Sequence, residues 1–183
     1  GEEDPDFENT GDWLELHNTS DTDVDLGGWL LTDDFDFPDK WTVPPGTLIS
    51  AFGYLVIWCD GEDAALSALH TNFKLSGNGE EIALHRPDLN LVDAFQFQSQ
   101  STNVSQGRSV DGSTSWSWFD APTPGTSNNA SQAYGGVTNH LPVFSDIGGF
   151  KEIGFSLHLT SLGGNIHYTC LLYTSPSPRD RSI

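Results

Sequence analysis

From Trp13 onward hydrophobic and polar residues alternate with a period of two in short runs separated by turns. Trp13-Leu14-Glu15-Leu16-His17 is the first such run, and Val24 and Leu26 alternate with Asp23 and Asp25. That period marks strands with one face on a core. Further strands are expected at 29–32, 41–43, 54–59, 73–75, 81–85, 91–97, 104–109 and 116–119. The run at 54–59, Tyr-Leu-Val-Ile-Trp-Cys, is apolar throughout and short, which predicts a strand buried on both faces. Asn18-Thr19-Ser20-Asp21, Gly27-Gly28, Asn78-Gly79 and Asp111-Gly112 supply turn or hairpin chemistry, and Pro44-Pro45-Gly46 is a break that no central strand tolerates. Ala64, Ala65, Leu66 and Ala68 favour helix, so one helical turn is expected within 60–69. Many short strands at this regular spacing predict an all-β fold, an antiparallel immunoglobulin-like β-sandwich.

The pattern changes after Pro122-Thr123-Pro124-Gly125. Ser127-Asn128-Asn129-Ala130-Ser131-Gln132 offers little to bury and reads as the start of a flexible linker. We therefore divide the chain into a first domain at 1–127, a polar linker at 128–140 and a second apolar pattern at 141–169. The last comprises Leu141-Pro142-Val143-Phe144, Phe155-Ser156-Leu157-His158-Leu159-Thr160 and Ile166-His167-Tyr168-Thr169. Three strands cannot close a sandwich, so the second β module is expected to be incomplete.

Composition narrows the possibilities. Seven Lys and Arg against 26 Asp and Glu give a formal charge of −19, which repels a phosphate backbone and excludes nonspecific nucleic-acid binding. Eleven Phe, 6 Trp and 4 Tyr provide the buried area that a disordered acidic chain lacks. No apolar run reaches the roughly 18 residues that span a bilayer. Met is absent, even at position 1, so a mature or cropped fragment is expected and the missing signal segment says nothing about secretion.

The order Asp12-Trp13-Leu14-Glu15-Leu16-His17-Asn18, Val24-Asp25-Leu26-Gly27-Gly28-Trp29, Lys40-Trp41 and Pro44-Pro45-Gly46-Thr47 closely resembles the bacterial lamin tail domain. Gly53-Tyr54-Leu55-Val56, His70-Thr71-Asn72-Phe73-Lys74-Leu75, Gly79-Glu80, Val92-Asp93, Gly107-Arg108 and Pro122-Thr123-Pro124-Gly125 continue it, so that it covers about 7–127. The resemblance implies an immunoglobulin-like sandwich and a non-catalytic module of a larger secreted or surface-attached bacterial protein, serving adhesion, targeting or spacing. It also implies an extracellular or cell-surface setting, with a protein or polysaccharide there as partner. Such modules often accompany hydrolases or spore-coat kinase-like domains, so the alternative is the accessory region of an enzyme whose catalytic domain lies elsewhere. Family members carry a strand of the type Ile-Asn-Glu-Ile-Met ahead of the acidic loop in which this chain starts, and a cropped first strand is expected. Coiled-coil heptads are missing, which sets aside the nuclear role of eukaryotic lamins.

Pro142-Val143-Phe144-Ser145, Gly148-Gly149-Phe150, 155–160 and Gly164-Asn165-Ile166-His167-Tyr168-Thr169 resemble the start of a chitobiase/hexosaminidase C-terminal-like module, without the Asp-Gly-Ser-x-Pro that usually follows. The continuation, Cys170-Leu171-Leu172-Tyr173-Thr174-Ser175-Pro176-Ser177-Pro178-Arg179-Asp180, resembles translated transposase-adapter DNA from sequencing libraries. On that reading 170–183 is an artefact.

Candidate chemistry is sparse. No Gly-x-Ser-x-Gly elbow presents a nucleophile. His17, His70, His85, His140, His158 and His167 show no helical pair flanking a Glu, which excludes a zincin and leaves each as a strand or turn residue. Cys59 has no Cys-x-x-Cys partner and reads as a small buried hydrophobe. The densest carboxylate run, Asp33, Asp34, Asp36 and Asp39, could supply several oxygens to Ca²⁺, with a solvated loop as the plainer alternative. The calcium-loop template started at Asp21 fails, because Leu26 takes position six and Thr32 position twelve. Asp4-Pro5-Asp6-Phe7-Glu8 repeats the alternation more weakly. Trp116 and Trp118 share one side of a strand and serve either as core or as a sugar platform. A calcium-dependent carbohydrate binder is thus a further alternative. The expected picture has no catalytic residues and no cofactor other than that Ca²⁺.

Overall fold

A computed structural model of the chain describes residues 3–7, 11–101, 103–136, 143–146 and 155–160. It divides into two compact units, Gly1–Gly135 and Gly136–Ile183. In chain order the strands of the first are β1 (Trp13–His17), β2 (Val24–Asp25), β3 (Leu30–Thr32), β4 (Trp41–Thr42), β5 (Leu48–Ile49), β6 (Tyr54–Trp58), β7 (Leu69–His70), β8 (Gly79–His85), β9 (Leu91–Gln98), β10 (Ser105–Arg108) and β11 (Trp116–Phe119). One sheet has the order β1-β6-β7 and the other β4-β3-β8-β9, with β2-β5 and β10-β11 as two-stranded ribbons. Every pairing is antiparallel except β6 with β7.

The two sheets share one core. Leu14 and Ile57, cross-strand partners in the first sheet, are buried in the same cluster as Leu31, Trp41 and Leu84 of the second. Leu31 sits opposite Trp41 on one side and Leu84 on the other, so a central strand carries its apolar residue into the middle of the sandwich. The period-two reading of 13–17 places Leu14 inward, as found. This is the expected immunoglobulin-like β-sandwich. No helix among the described residues is long and apolar enough to cross a membrane.

Several local expectations differ. Of 54–59 only Ile57, Trp58 and Cys59 are buried, because β7 flanks β6 at Ile57 and Trp58 alone and leaves Tyr54 to Val56 half covered. Tyr54 instead stacks on His17, with ring centroids 4.5 Å apart. No helical turn forms in 60–69. The segment doubles back through the bonds from Leu66 N to Ala68 O (3.0 Å) and from His70 N to Ala64 O (2.8 Å), which free 69–70 to join the sheet. Residues 73–75 are not a strand, and a single bridge joins Lys74 to Asp60.

The boundary at 127 also moves. Asn128–Ala130 forms one 3₁₀ turn whose side chains serve the first unit: Asn128 Nδ2 donates to Arg108 O (2.9 Å) and Asp111 N donates to Asn129 Oδ1 (2.9 Å). Trp118 and Tyr134 then exchange backbone hydrogen bonds of 2.9 Å each. Residues 128–134 are therefore part of the first unit and not a free linker. In the second unit β12 (Val143–Phe144) pairs antiparallel with β13 (Leu159–Thr160). The third expected strand, at 166–169, and the stretch 170–183 lie outside the described residues.

Two predictions arise from this frame. Asp111 accepts from Tyr54 Oη (2.6 Å) and Asn128 N (3.0 Å). Burial would raise its pKa, yet the Ser127 and Tyr54 hydroxyls and the Asn128 amide outweigh burial and hold it below the ordinary 3.8. A depressed carboxylate contributes stability that is present above its unfolded pKa and is lost as pH falls through the lower native one. Asp111→Asn should therefore flatten the loss of stability below about pH 4. Urea midpoints at pH 5 and pH 3 test this, and an unchanged acid slope in the variant contradicts it. Gly79 opens β8 at φ +105°, where an added Cβ would lie 2.8 Å from Phe97 O. Gly79→Ala should cost about 1–3 kcal/mol through that clash and the strained dihedral. A variant within 0.5 kcal/mol of the parent by urea unfolding would show that the β8–β9 start yields freely.

Candidate functional site

The strongest gathering of polar side chains surrounds His70, at the end of β7. Its backbone is fixed by the bond to Ala64 and by Thr71 N donating to Trp58 O (2.8 Å), and its side chain is fully buried. Nδ1 lies 2.8 Å from Asp60 Oδ2 and Nε2 lies 3.1 Å from Asp6 Oδ2. Asp60 follows β6 directly beyond Cys59, and its other oxygen accepts from Glu62 N at 3.1 Å.

Asp4 and Asp6 arrive from the opposite end of the sequence. Asp4 Oδ1 accepts from Asp6 N (2.9 Å) and Phe7 N (3.3 Å), closing a turn on its own backbone. Asp6 accepts from the Ser67 hydroxyl, Ser67 N (3.3 Å) and Ala68 N (2.9 Å). Phe7 sets its ring edge-on against the imidazole, centroids 4.9 Å apart. The N-terminal turn is thereby fastened to the loop that precedes β7. Asp4 is 2% exposed, and its Oδ2, 3.8 Å from His70 Nδ1, is buried without a hydrogen-bond partner.

Both ring nitrogens of His70 face carboxylate oxygens. A neutral imidazole donates from only one nitrogen, so the protonated ring satisfies both contacts. Burial works against that charge, but the hydrogen bonds to Asp6 and Asp60 and the charges of Asp60 and Asp4 outweigh it and raise the pKa above 6.5. Asp6 is held well below the usual carboxylate range, first by the Ser67 hydroxyl, then by His70 and the Ala68 and Ser67 amides, against a smaller opposing effect of burial.

The residues singled out in the sequence fall elsewhere. Asp33 is buried and ion-paired with Lys40. Asp34 accepts from Asp36 N (2.9 Å), while the Thr32 hydroxyl grips the Asp34 backbone (2.8 and 3.0 Å). Asp36 and Asp39 are exposed. Turn-making bonds spread these four carboxylates instead of converging them. Among the described residues, Asp4, Asp6 and His70 are the acidic and histidine set whose ligand atoms all lie within 4.8 Å of one another. Trp116 is stacked on Phe95 (centroids 3.6 Å, 13° between planes), with the Arg108 guanidinium 4.4 Å from its centroid. Trp118 is half-buried on the same strand. Trp116 is likewise half-buried, with Phe95 and Arg108 against its ring. Cys59 is 1% exposed and burial pushes its thiol up to about 12, as suits a core residue.

Sequence reasoning noticed the Asp4-Pro5-Asp6 alternation but ranked it below the 33–39 loop, and it treated His70 as an ordinary strand residue. Local spacing could not pair positions more than sixty residues apart.

Residues 2–99 match the Lamin Tail Domain, a span that holds Asp4, Asp6, Asp60 and His70. The resemblance read from the sequence ran on to about 127. No curated protein matches the chain. The family is one of non-catalytic immunoglobulin-like domains, in agreement with the two packed sheets. With more than half of its 183 residues inside that match, the chain belongs to the lamin tail domain family.

Proposed function

We propose that the chain is a non-catalytic module of a larger secreted or surface-attached bacterial protein, serving adhesion, targeting or spacing. The observation that carries this reading is the use made of polar groups around the sandwich. His70 ties β7 to Asp60 and to the N-terminal turn, Tyr54 holds Asp111, and Arg108 Nη2 donates to both oxygens of Asp93 at 2.7 and 2.6 Å. Each contact joins separate elements of the fold and fixes shape. The strand pair β12–β13 suits the start of a further β module, and a parent protein with an enzyme downstream is compatible with the same role.

Co-sedimentation tests it. The purified chain would be mixed with insoluble chitin, cellulose and bacterial sacculi, and the supernatant assayed for released sugar and peptide. Saturable retention on one surface without soluble product is the expected result. Retention on none, again without product, would confine the role to spacing. Product released in proportion to added protein would overturn the non-catalytic reading.

A further inference from the structure

We propose that Asp4, Asp6 and His70 form a binding site for one divalent transition-metal ion of the zinc type. Three observations carry it. The ligand atoms converge within 4.8 Å, from segments more than sixty residues apart. Asp4 is almost wholly buried, and its Oδ2 accepts no hydrogen bond and has only the His70 imidazole beside it, 3.8 Å away at Nδ1, a costly state for a carboxylate oxygen unless something binds there. Asp60 accepts at 2.8 Å from His70 Nδ1, the carboxylate-to-imidazole contact that fixes the tautomer and aims Nε2 at a metal.

The charges agree. Three carboxylates and an imidazolium sum to −2 in a buried space. On binding, the Nε2–H bond breaks, its proton passes to water, and the freed lone pair bonds the metal together with one oxygen each from Asp4 and Asp6. Three carboxylates, a neutral ring and a divalent ion sum to −1. No oxidant or reductant is involved. The Nε2 to Asp6 Oδ2 separation of 3.1 Å is close to the edge of about 3.3 Å spanned by two tetrahedral bonds of about 2.0 Å. An imidazole nitrogen suits zinc and its transition-metal neighbours, whereas Ca²⁺ and Mg²⁺ take oxygen donors. Three protein donors leave the fourth position to water. The site is independent of the adhesion reading, and a surface-binding failure would not touch it.

The experiment uses the full chain stripped with a chelator and titrated in parallel with zinc, cobalt(II) and calcium chlorides, with bound metal quantified after equilibrium dialysis. Asp4→Asn keeps the Oδ1 that closes the turn and replaces only the unpartnered oxygen. The expected result is one equivalent of zinc fewer in Asp4→Asn than in the parent, a visible cobalt band lost in the same variant, and zinc affinity weakened about 10–100-fold by Asp60→Asn. Zinc should also move the His70 Nε2 resonance in a long-range proton–nitrogen spectrum of the parent, a readout that needs no variant. Equal zinc uptake by parent and Asp4→Asn, an unmoved Nε2 resonance, or calcium taken up at this site in place of zinc would each overturn the proposal.

Discussion

His70→Ala is expected to lower the free energy of unfolding by about 3–5 kcal/mol, the cost of breaking a buried ion pair by removing one partner. The imidazole is fully buried, and its loss strips hydrogen-bond donors from Asp60 and Asp6 and leaves like charges facing one another around Asp4. Against a total stability of about 5–15 kcal/mol, such a change approaches unfolding. Urea denaturation followed by circular dichroism, with chelator present throughout, gives the number. Adding Asp60→Asn to His70→Ala separates the causes. If the damage is uncompensated charge, the double variant regains part of the loss. A double variant no more stable than His70→Ala would assign the whole effect to lost packing.

Trp41→Ala should cost a comparable 3–5 kcal/mol, roughly, for a different reason. The indole is 4% exposed and fills the space between the sheets opposite Leu31, and its Nε1 donates to Asp63 Oδ1 at 3.1 Å. Removing it opens a cavity and leaves the 60–69 loop without one of its anchors. Trp41→Phe keeps most of the volume and should lose only about 1–2 kcal/mol, near the value of the hydrogen bond and the residual gap. If alanine and phenylalanine cost the same in urea unfolding, the indole hydrogen bond and not the packing would be the source of the stability.

These sites show what the sequence could and could not reveal. Alternation in 13–17 exposed a strand of the sandwich, because five residues are enough to set Leu14 inward, whereas in 81–85 the neighbours Ala83 and Leu84 are both buried. Pro44-Pro45-Gly46 and Asp111-Gly112 marked turns, since their backbone preferences act locally. Strands β5 and β7 were illegible. Two residues carry no period, and the alanines before Leu69 favour helix until the parallel pairing with β6 overrides them. Asn128 and Asn129 read as linker because composition cannot tell a polar residue that faces water from one that bonds Arg108 and Asp111. The carboxylates at 33–39 stood out by density alone, whereas the set that converges is sparse along the chain and is assembled only by the fold.

The pairing pattern also sets an order of assembly. Strands β8 and β9 are joined by the short loop 86–90, closed by Arg86 N to Asn90 O at 2.9 Å, so this hairpin can form on the timescale of about 1–10 μs. Each sheet also needs a distant partner, residue 13 against residue 58 and residue 30 against residue 85. Loop closure over such spans must precede any packing reward, which places completion of the sandwich in the range of about milliseconds to seconds. A hairpin formed ahead of the sandwich would present Ile82 and Leu84, which the native core covers, and the formal charge of −19 would set half-folded copies against one another.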